Sequence, residues 1–187
     1  NPLITHVLDT AAAIELGQFS ANAKKLAAAF WPGPLTLVVQ RAGNCPIADL
    51  VSAGLPTLAL RVPDHPIARA LLTTFGKPLA APSANRSGHV SATRAEHVAA
   101  DLTESVAMIL DGGPVQHGLE STVLDVTSDE IVMLRPGAIP LARIEAVVGA
   151  KIARADGSSI RPHSPGQLES HYATSAPLRL NAHTLRD

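Results

Sequence analysis

Hydroxyls, one amide and two guanidiniums recur in this chain where apolar runs begin or end. Thr57 opens TLALRV and Arg61 nearly closes it; Ser83 and Asn85 follow LAAP; Ser121 and Thr122 open STVLDV directly after Gly118-Leu119-Glu120; Arg135 closes IVMLR. Such groups suit the binding of a phosphorylated or carboxylated small molecule, each charge-assisted hydrogen bond contributing ~1.5–3 kcal/mol. None is an obvious covalent nucleophile. Each also has a plainer reading. Arg61 can pair with Asp64, Arg135 can sit on the surface, Ser121-Thr122 has ordinary strand composition, and Ser83 to Gly88 can be a turn that only reverses the chain. Spacing alone does not show that they converge.

Several familiar chemistries are excluded by pattern. The chain has no G-x-x-x-x-G-K-[ST] loop, no G-x-G-x-x-G and no G-x-S-x-G elbow around Ser83. Its eight histidines include no H-x-x-x-H pair, so a zinc site built by the protein is not expected. The single cysteine, Cys45, excludes an internal disulfide and reads as a bystander beside Pro46. Net charge is −1 and aromatics make up 3% of residues, which gives neither an overall field for nucleic acid nor stacking platforms for single strands. An anion site must therefore be local. Eleven of the fifteen basic residues are Arg, the type that makes forked contacts with phosphate or carboxylate. No apolar run approaches the ~18 residues of a membrane span, and a cytoplasmic location is the default expectation.

At 187 residues, 46% of them hydrophobic, the chain can bury one ordinary core. Pro2 to Leu8 reads as a strand and Ser20 to Phe30 as a helix stopped by Trp31-Pro32-Gly33-Pro34. Leu35 to Gln40 and Thr57 to Val62 are strands separated by a loop through about Pro56, and Pro63 to Pro66 starts a helix to Phe75 with Asp64 as its cap. Leu79 to Ala81 reads as a buried strand ending at Pro82, and Thr93-Arg94-Ala95-Glu96 as a capping box for a helix through Leu102. Val106 to Leu110 is expected to be a strand before the Asp111-Gly112-Gly113-Pro114 turn. Ser121 to Val126 and Glu130 to Arg135 alternate as an antiparallel pair, followed by a helix from Pro140 to Val148 ending at Gly149. Without a regular βαβ rhythm, the pattern predicts an α/β (α+β) fold with a twisted mixed sheet. From about Arg154 the composition turns to Ser, Pro, Gly and His, and a linker is expected.

Five segments in order, WPGPLTLVV (31–39), TLALRVPDHP (57–66), APSANRSGHVSAT (81–93), GLESTVLDV (118–126) and LRPGAI (134–139), resemble the YrdC-like family of threonylcarbamoyl-AMP synthases. SPGQLESHYA (164–173) resembles the linker of its longer, two-domain members, with Gln167 and Thr174 in place of the usual Met and Pro. The resemblance implies a catalytic domain over 1–153, a linker over 154–177 and the start of a second domain over 178–187. It also implies a Lys-x-Arg segment ahead of Asn1, a large concave cavity beside the sheet, and helices flanking it. It assigns Asn1, Thr57, Asn85, Thr93, Arg135 and Tyr172 to ATP, and His6, Arg61, Ser83 and Ser121 to L-threonine or its carbamate. Arg61 and Arg135 would carry catalysis.

The implied reaction joins L-threonine, bicarbonate and ATP, with magnesium held by the ATP phosphates, into threonylcarbamoyl-AMP and pyrophosphate. The product would pass to a complex that modifies adenosine 37 of tRNA, with at most weak tRNA contact and no membrane. A linker bearing His171 and Tyr172 would close over the site. The rivals are a carbamoyl-adenylate enzyme of the same fold using carbamoyl phosphate, and a non-catalytic RNA-binding module. Four lysines and near-neutral charge oppose the second.

Overall fold

The computed structural model describes residues 2–102 and 105–155. These fall into two compact units, residues 2–82 with 115–155, and residues 83–102 with 105–114.

The larger unit is a mixed sheet with helices. Its strands are β1 (Ile4–His6), β2 (Gly17–Gln18), β3 (Leu35–Arg41), β4 (Thr57–Arg61), β5 (Leu79–Ala81), β6 (Thr122–Asp125), β7 (Val132–Arg135) and β8 (Ala153–Arg154). They lie in the order β5-β1-β4-β3-β6-β7-β8, with β2 on β3. β1 and β4 run parallel, β3 is antiparallel to β4, β6 is parallel to β3, and β7 is antiparallel to β6. The ends of β1, β4 and β7 therefore meet the beginnings of β3 and β6 at one edge of the sheet.

Helix α1 (Thr10–Leu16) is capped by the Asp9 carboxylate and α2 (Ala21–Phe30) by the Ser20 hydroxyl, each accepting from a backbone N–H of the first turn. Helix α6 (Leu141–Val148) runs from Pro140 to a left-handed Gly149. Their apolar sides supply Ala13, Leu16, Ala23, Leu26, Ala27, Phe30 and Ile144 to a core with Leu35, Leu37, Val39, Leu58, Leu60 and Leu124 of the sheet. Alternation along the strands sends Ile4, Val38, Ala59 and Val123 to a second, smaller buried cluster. Thr57 and Arg61 share strand parity with Ala59, and His6 shares it with Ile4, so the polar residues of β1 and β4 belong to this second face.

The remaining helices are α3 (Asp49–Ser52), α4 (Pro66–Phe75) and, in the smaller unit, α5 (Ala95–Leu102). Five local expectations need correction. The loop before Pro56 contains α3, one turn long and without a side-chain cap; four residues are too few to leave a periodic signal. The cap of α4 is His65, whose Nδ1 accepts from Ile67 N–H at 3.3 Å, rather than Asp64. β5 pairs only with β1, and Ala80 and Ala81 are exposed because it is an edge strand, not a buried one. α5 starts at Ala95, and Thr93 Oγ1 pairs with His97 Nδ1 at 3.2 Å instead of forming a box with Glu96. Val106 to Leu110 is irregular, with Met108 and Leu110 exposed; a strand needs a neighbour to pair with, and none of the described residues offers that run one. Beyond Ala155 the expected linker and second domain lie outside the described residues. β8 carries the sheet through Arg154 by pairing with β7.

Among the described residues no helix is long and apolar enough to cross a membrane.

Candidate functional site

β1 and β4 end side by side because they are parallel and in register, which sets His6 directly across from Arg61. Burial, first, and the Arg61 charge, second, lower the His6 pKa to about 4, against weaker opposition from the carbonyls of Ile4 and Leu79. His6 is therefore neutral at pH 7. Its Nδ1 lies 3.2 Å from the Ile4 carbonyl oxygen, which can only accept, so the ring proton sits on Nδ1.

Arg61 is held by the loop before β3: its Nε donates to the Gly33 carbonyl at 3.1 Å. That loop is fixed in turn, since Gly33 N–H donates to Val62 O at 2.9 Å and Trp31 Nε1 to Leu35 O at 2.7 Å. Burial pushes the Arg61 pKa down, Arg135 adds to that, and Asp64 opposes it. The Asp64 pairing foreseen as the plainer reading thus survives as a field, and among the described residues no carboxylate reaches Arg61 within ion-pair distance.

Arg135, the last residue of β7, is buried. Its Nε and Nη2 donate to Ser121 O at 3.1 and 3.0 Å, Nη2 also to Ser121 Oγ at 3.0 Å, and Nη1 pairs with Glu120 Oε2 at 2.5 Å. Ser121 Oγ in turn bonds Thr36 Oγ1 at 2.8 Å. The Thr122 hydroxyl accepts from Ile139 N–H and donates to Ile139 O, at 3.0 and 2.9 Å. Gly137 lies against the same segment so closely that a Cβ would overlap the Glu120 carbonyl and the Ser121–Thr122 peptide. The GLEST and RPGAI segments are therefore interlocked.

His6, Arg61, Ser121 and Arg135 thus gather at one sheet edge, from strands up to about 130 residues apart in sequence. Thr57 does not join them. It shares the face of Arg61 but opens β4, opposite Gln40, about 13 Å away along a five-residue strand. Ser83, Asn85 and Thr93 belong to the smaller unit. There Asn85 Nδ2 donates to the carbonyls of Arg86 and His89 at 2.7 and 3.1 Å, leaving a buried Oδ1 with no hydrogen-bond partner among the described residues. Asp101 ties this loop to α5, accepting from Arg86 N–H at 2.5 Å. Asn1 and Tyr172 lie outside the described residues. Sequence reasoning missed Gly33, Thr36 and Glu120. Only Glu120 left a signal, as a carboxylate directly before an apolar strand.

The architecture defines a class: a mixed-sheet α/β protein whose strand ends collect two guanidiniums, a neutral imidazole and hydroxyls, equipment for a small anionic ligand. The family profile Sua5/YciO/YrdC, described as "Telomere recombination", matches residues 1–137, and the chain belongs to that family. It is 47% identical over 184 residues to the threonylcarbamoyl-AMP synthase of Bacillus subtilis (strain 168), covering 96% of this chain and 53% of that protein. It is 43% identical over 180 residues to the threonylcarbamoyl-AMP synthase of Pyrococcus abyssi, covering 94% and 52%. The crystal structure of P. abyssi Sua5 complexed with L-threonine superposes with a TM-score of 0.89 at 42% identity, over 94% of this chain and 52% of that one. The chain thus spans about half the length of these relatives.

Proposed function

We propose that this chain is the catalytic portion of an L-threonylcarbamoyladenylate synthase, forming threonylcarbamoyl-AMP and pyrophosphate from L-threonine, bicarbonate and ATP. The observation that carries this reading is the part-buried Arg61, with no carboxylate in ion-pair range among the described residues, beside neutral His6 and the Ser121–Arg135 pair. Arg135 already has the Glu120 carboxylate, whereas the part-buried Arg61 cation is stabilised by an incoming anion, and threonine or its carbamate supplies one. The relatives named above are synthases of this product, and one was solved with L-threonine.

In this reading Arg61 holds the carboxylate or carbamate, and His6, its ring proton held on Nδ1 by the Ile4 carbonyl, accepts at Nε2 from the threonine amine or hydroxyl without adding charge. Arg135 faces the nucleotide phosphates. The threonine amine captures bicarbonate as a carbamate, whose oxygen attacks the α-phosphorus, and pyrophosphate leaves. No enzyme nucleophile is needed; alignment and charge stabilisation lower the barrier. Thr57, about 13 Å from Arg61 on the same face, fits a nucleotide better than an amino acid, which is too short for that span, and Asn85 is assigned to ATP. Ser83 is assigned to threonine, and Thr93, Asn1 and Tyr172 to ATP. Magnesium would arrive as part of the substrate, held by the triphosphate. The described residues contain no group of three or more His, Cys, Asp or Glu able to hold it. The face carrying Thr57 and Arg61 would floor the concave cavity, and the linker would close it. The product would pass, in the cytoplasm, to a tRNA-modifying complex.

Calorimetry tests this directly. L-Threonine should bind the full-length protein, and Arg61→Ala should weaken binding roughly 10- to 100-fold, the loss of one charge-assisted pair. Equal affinity in both proteins would refute the assignment.

A further inference from the structure

We propose that Glu120 is the positioning residue of the anion site, locking the plane of the Arg135 guanidinium; the inference rests on the function proposed above. Arg135 is the last residue of β7, its backbone paired opposite Val123, but its long side chain keeps rotamer freedom that the ladder does not restrict. The contacts that fix it come from two adjacent residues. Ser121 accepts from Nε and Nη2 on one edge of the guanidinium, and Glu120 takes Nη1 on the other. With both edges held, the plane is set.

Glu120 is itself rigid. Its carbonyl accepts from Ala138 N–H at 3.0 Å, and Gly137 packs against that carbonyl where any side chain would collide. Its carboxylate is only partly exposed, 22% by side chain. The lock reaches further, because Arg135 Nη2 and Thr36 Oγ1 both bond Ser121 Oγ. Releasing one edge of the guanidinium therefore loosens the serine hydroxyl as well.

A carboxylate beside an anion site opposes anion binding through its charge. That gives positioning and charge balance opposite signatures. If Glu120 only balanced charge, Glu120→Gln would tighten ATP binding and Glu120→Asp would resemble wild type. As a positioning group it loses its function in both variants, since Gln lacks the charge that holds Nη1 and Asp is one methylene short. A displaced catalytic contact costs on the order of 100-fold.

The test measures threonine-dependent pyrophosphate release by full-length wild type, Glu120→Gln and Glu120→Asp, together with thermal midpoints and the 1H–15N signal of Arg135 Nε–H. We expect kcat/KM for ATP to fall about 10- to 100-fold in both variants, the KM for ATP to rise, and the Nε–H signal to exchange faster. An ATP KM at or below wild type in Glu120→Gln, or near-wild-type activity of Glu120→Asp, would overturn the proposal. A lowered thermal midpoint with unchanged kinetics would also overturn it, leaving Glu120 a structural residue. Should wild type itself release no threonine-dependent pyrophosphate, the proposed function fails, not the lock. The Nε–H signal then decides: unchanged exchange in both variants refutes the lock.

Discussion

His6 should stay neutral well below its ordinary pKa, and its protonation should cost the fold stability. Its pKa is lowered to about 4 in the folded chain, from 6.5, by burial and by the Arg61 charge. The unfolded chain therefore takes up the proton first. The stability His6 contributes is complete above pH 6.5 and is lost as pH falls toward 4. At 1.36 kcal/mol per unit, the full shift is worth about 3 kcal/mol, most of which should vanish between about pH 7.5 and 4.5. Two assays check this. A proton NMR titration of the His6 ring should show no protonation down to about pH 5. Urea unfolding should show that His6→Gln flattens the dependence of stability on pH by roughly that amount. A His6 ring titrating at 6 or above, or a His6→Gln protein with the wild-type pH dependence, would show that neither burial nor Arg61 controls the imidazole.

Gly137→Ala places a methyl into the Glu120–Thr122 backbone. It should cost about 1–3 kcal/mol in urea unfolding and reduce pyrophosphate release beyond what the stability loss explains, because Ser121 and Arg135 both move. Equal activity at matched folded fraction would show that the interlock is not needed. Thr5→Val should be neutral or stabilising by about 1 kcal/mol, since the Thr5 hydroxyl is fully buried with no hydrogen-bond partner among the described residues; a clear loss in midpoint would reveal a partner for it.

The sheet was legible where burial is two-sided or strictly alternating. LTLVVQ and TLALRV read as strands because they form the centre of the sheet, where β3 and β4 pair with each other. Ser20 and Gly149 marked helix ends through the local chemistry of caps. The failures came where an element depends on what lies beside it. Val106 to Leu110 has strand composition without a partner strand among the described residues, and Leu79 to Ala81 has core composition at an edge.

For the site, residue type nominated Arg61, Ser121 and Arg135, since hydroxyls and guanidiniums stand out at the ends of apolar runs. His6 came from the family resemblance; its neutrality follows from burial beside Arg61, which no local pattern encodes. What holds these residues was illegible. Thr36 and Ser121 are 85 positions apart, and Gly33 meets Arg61 across 28. Such contacts exist only once β3, β4 and β6 have been laid side by side. Thr57 and Arg61 flank TLALRV in the sequence, and the register keeps them at opposite ends of β4.

The most direct test of the central claim is pyrophosphate release by the full-length protein from ATP and magnesium, with threonine and bicarbonate omitted in turn. Release is expected only when both are present, and it should be lost in Arg61→Ala. Release indifferent to threonine, or supported instead by carbamoyl phosphate, would contradict that claim.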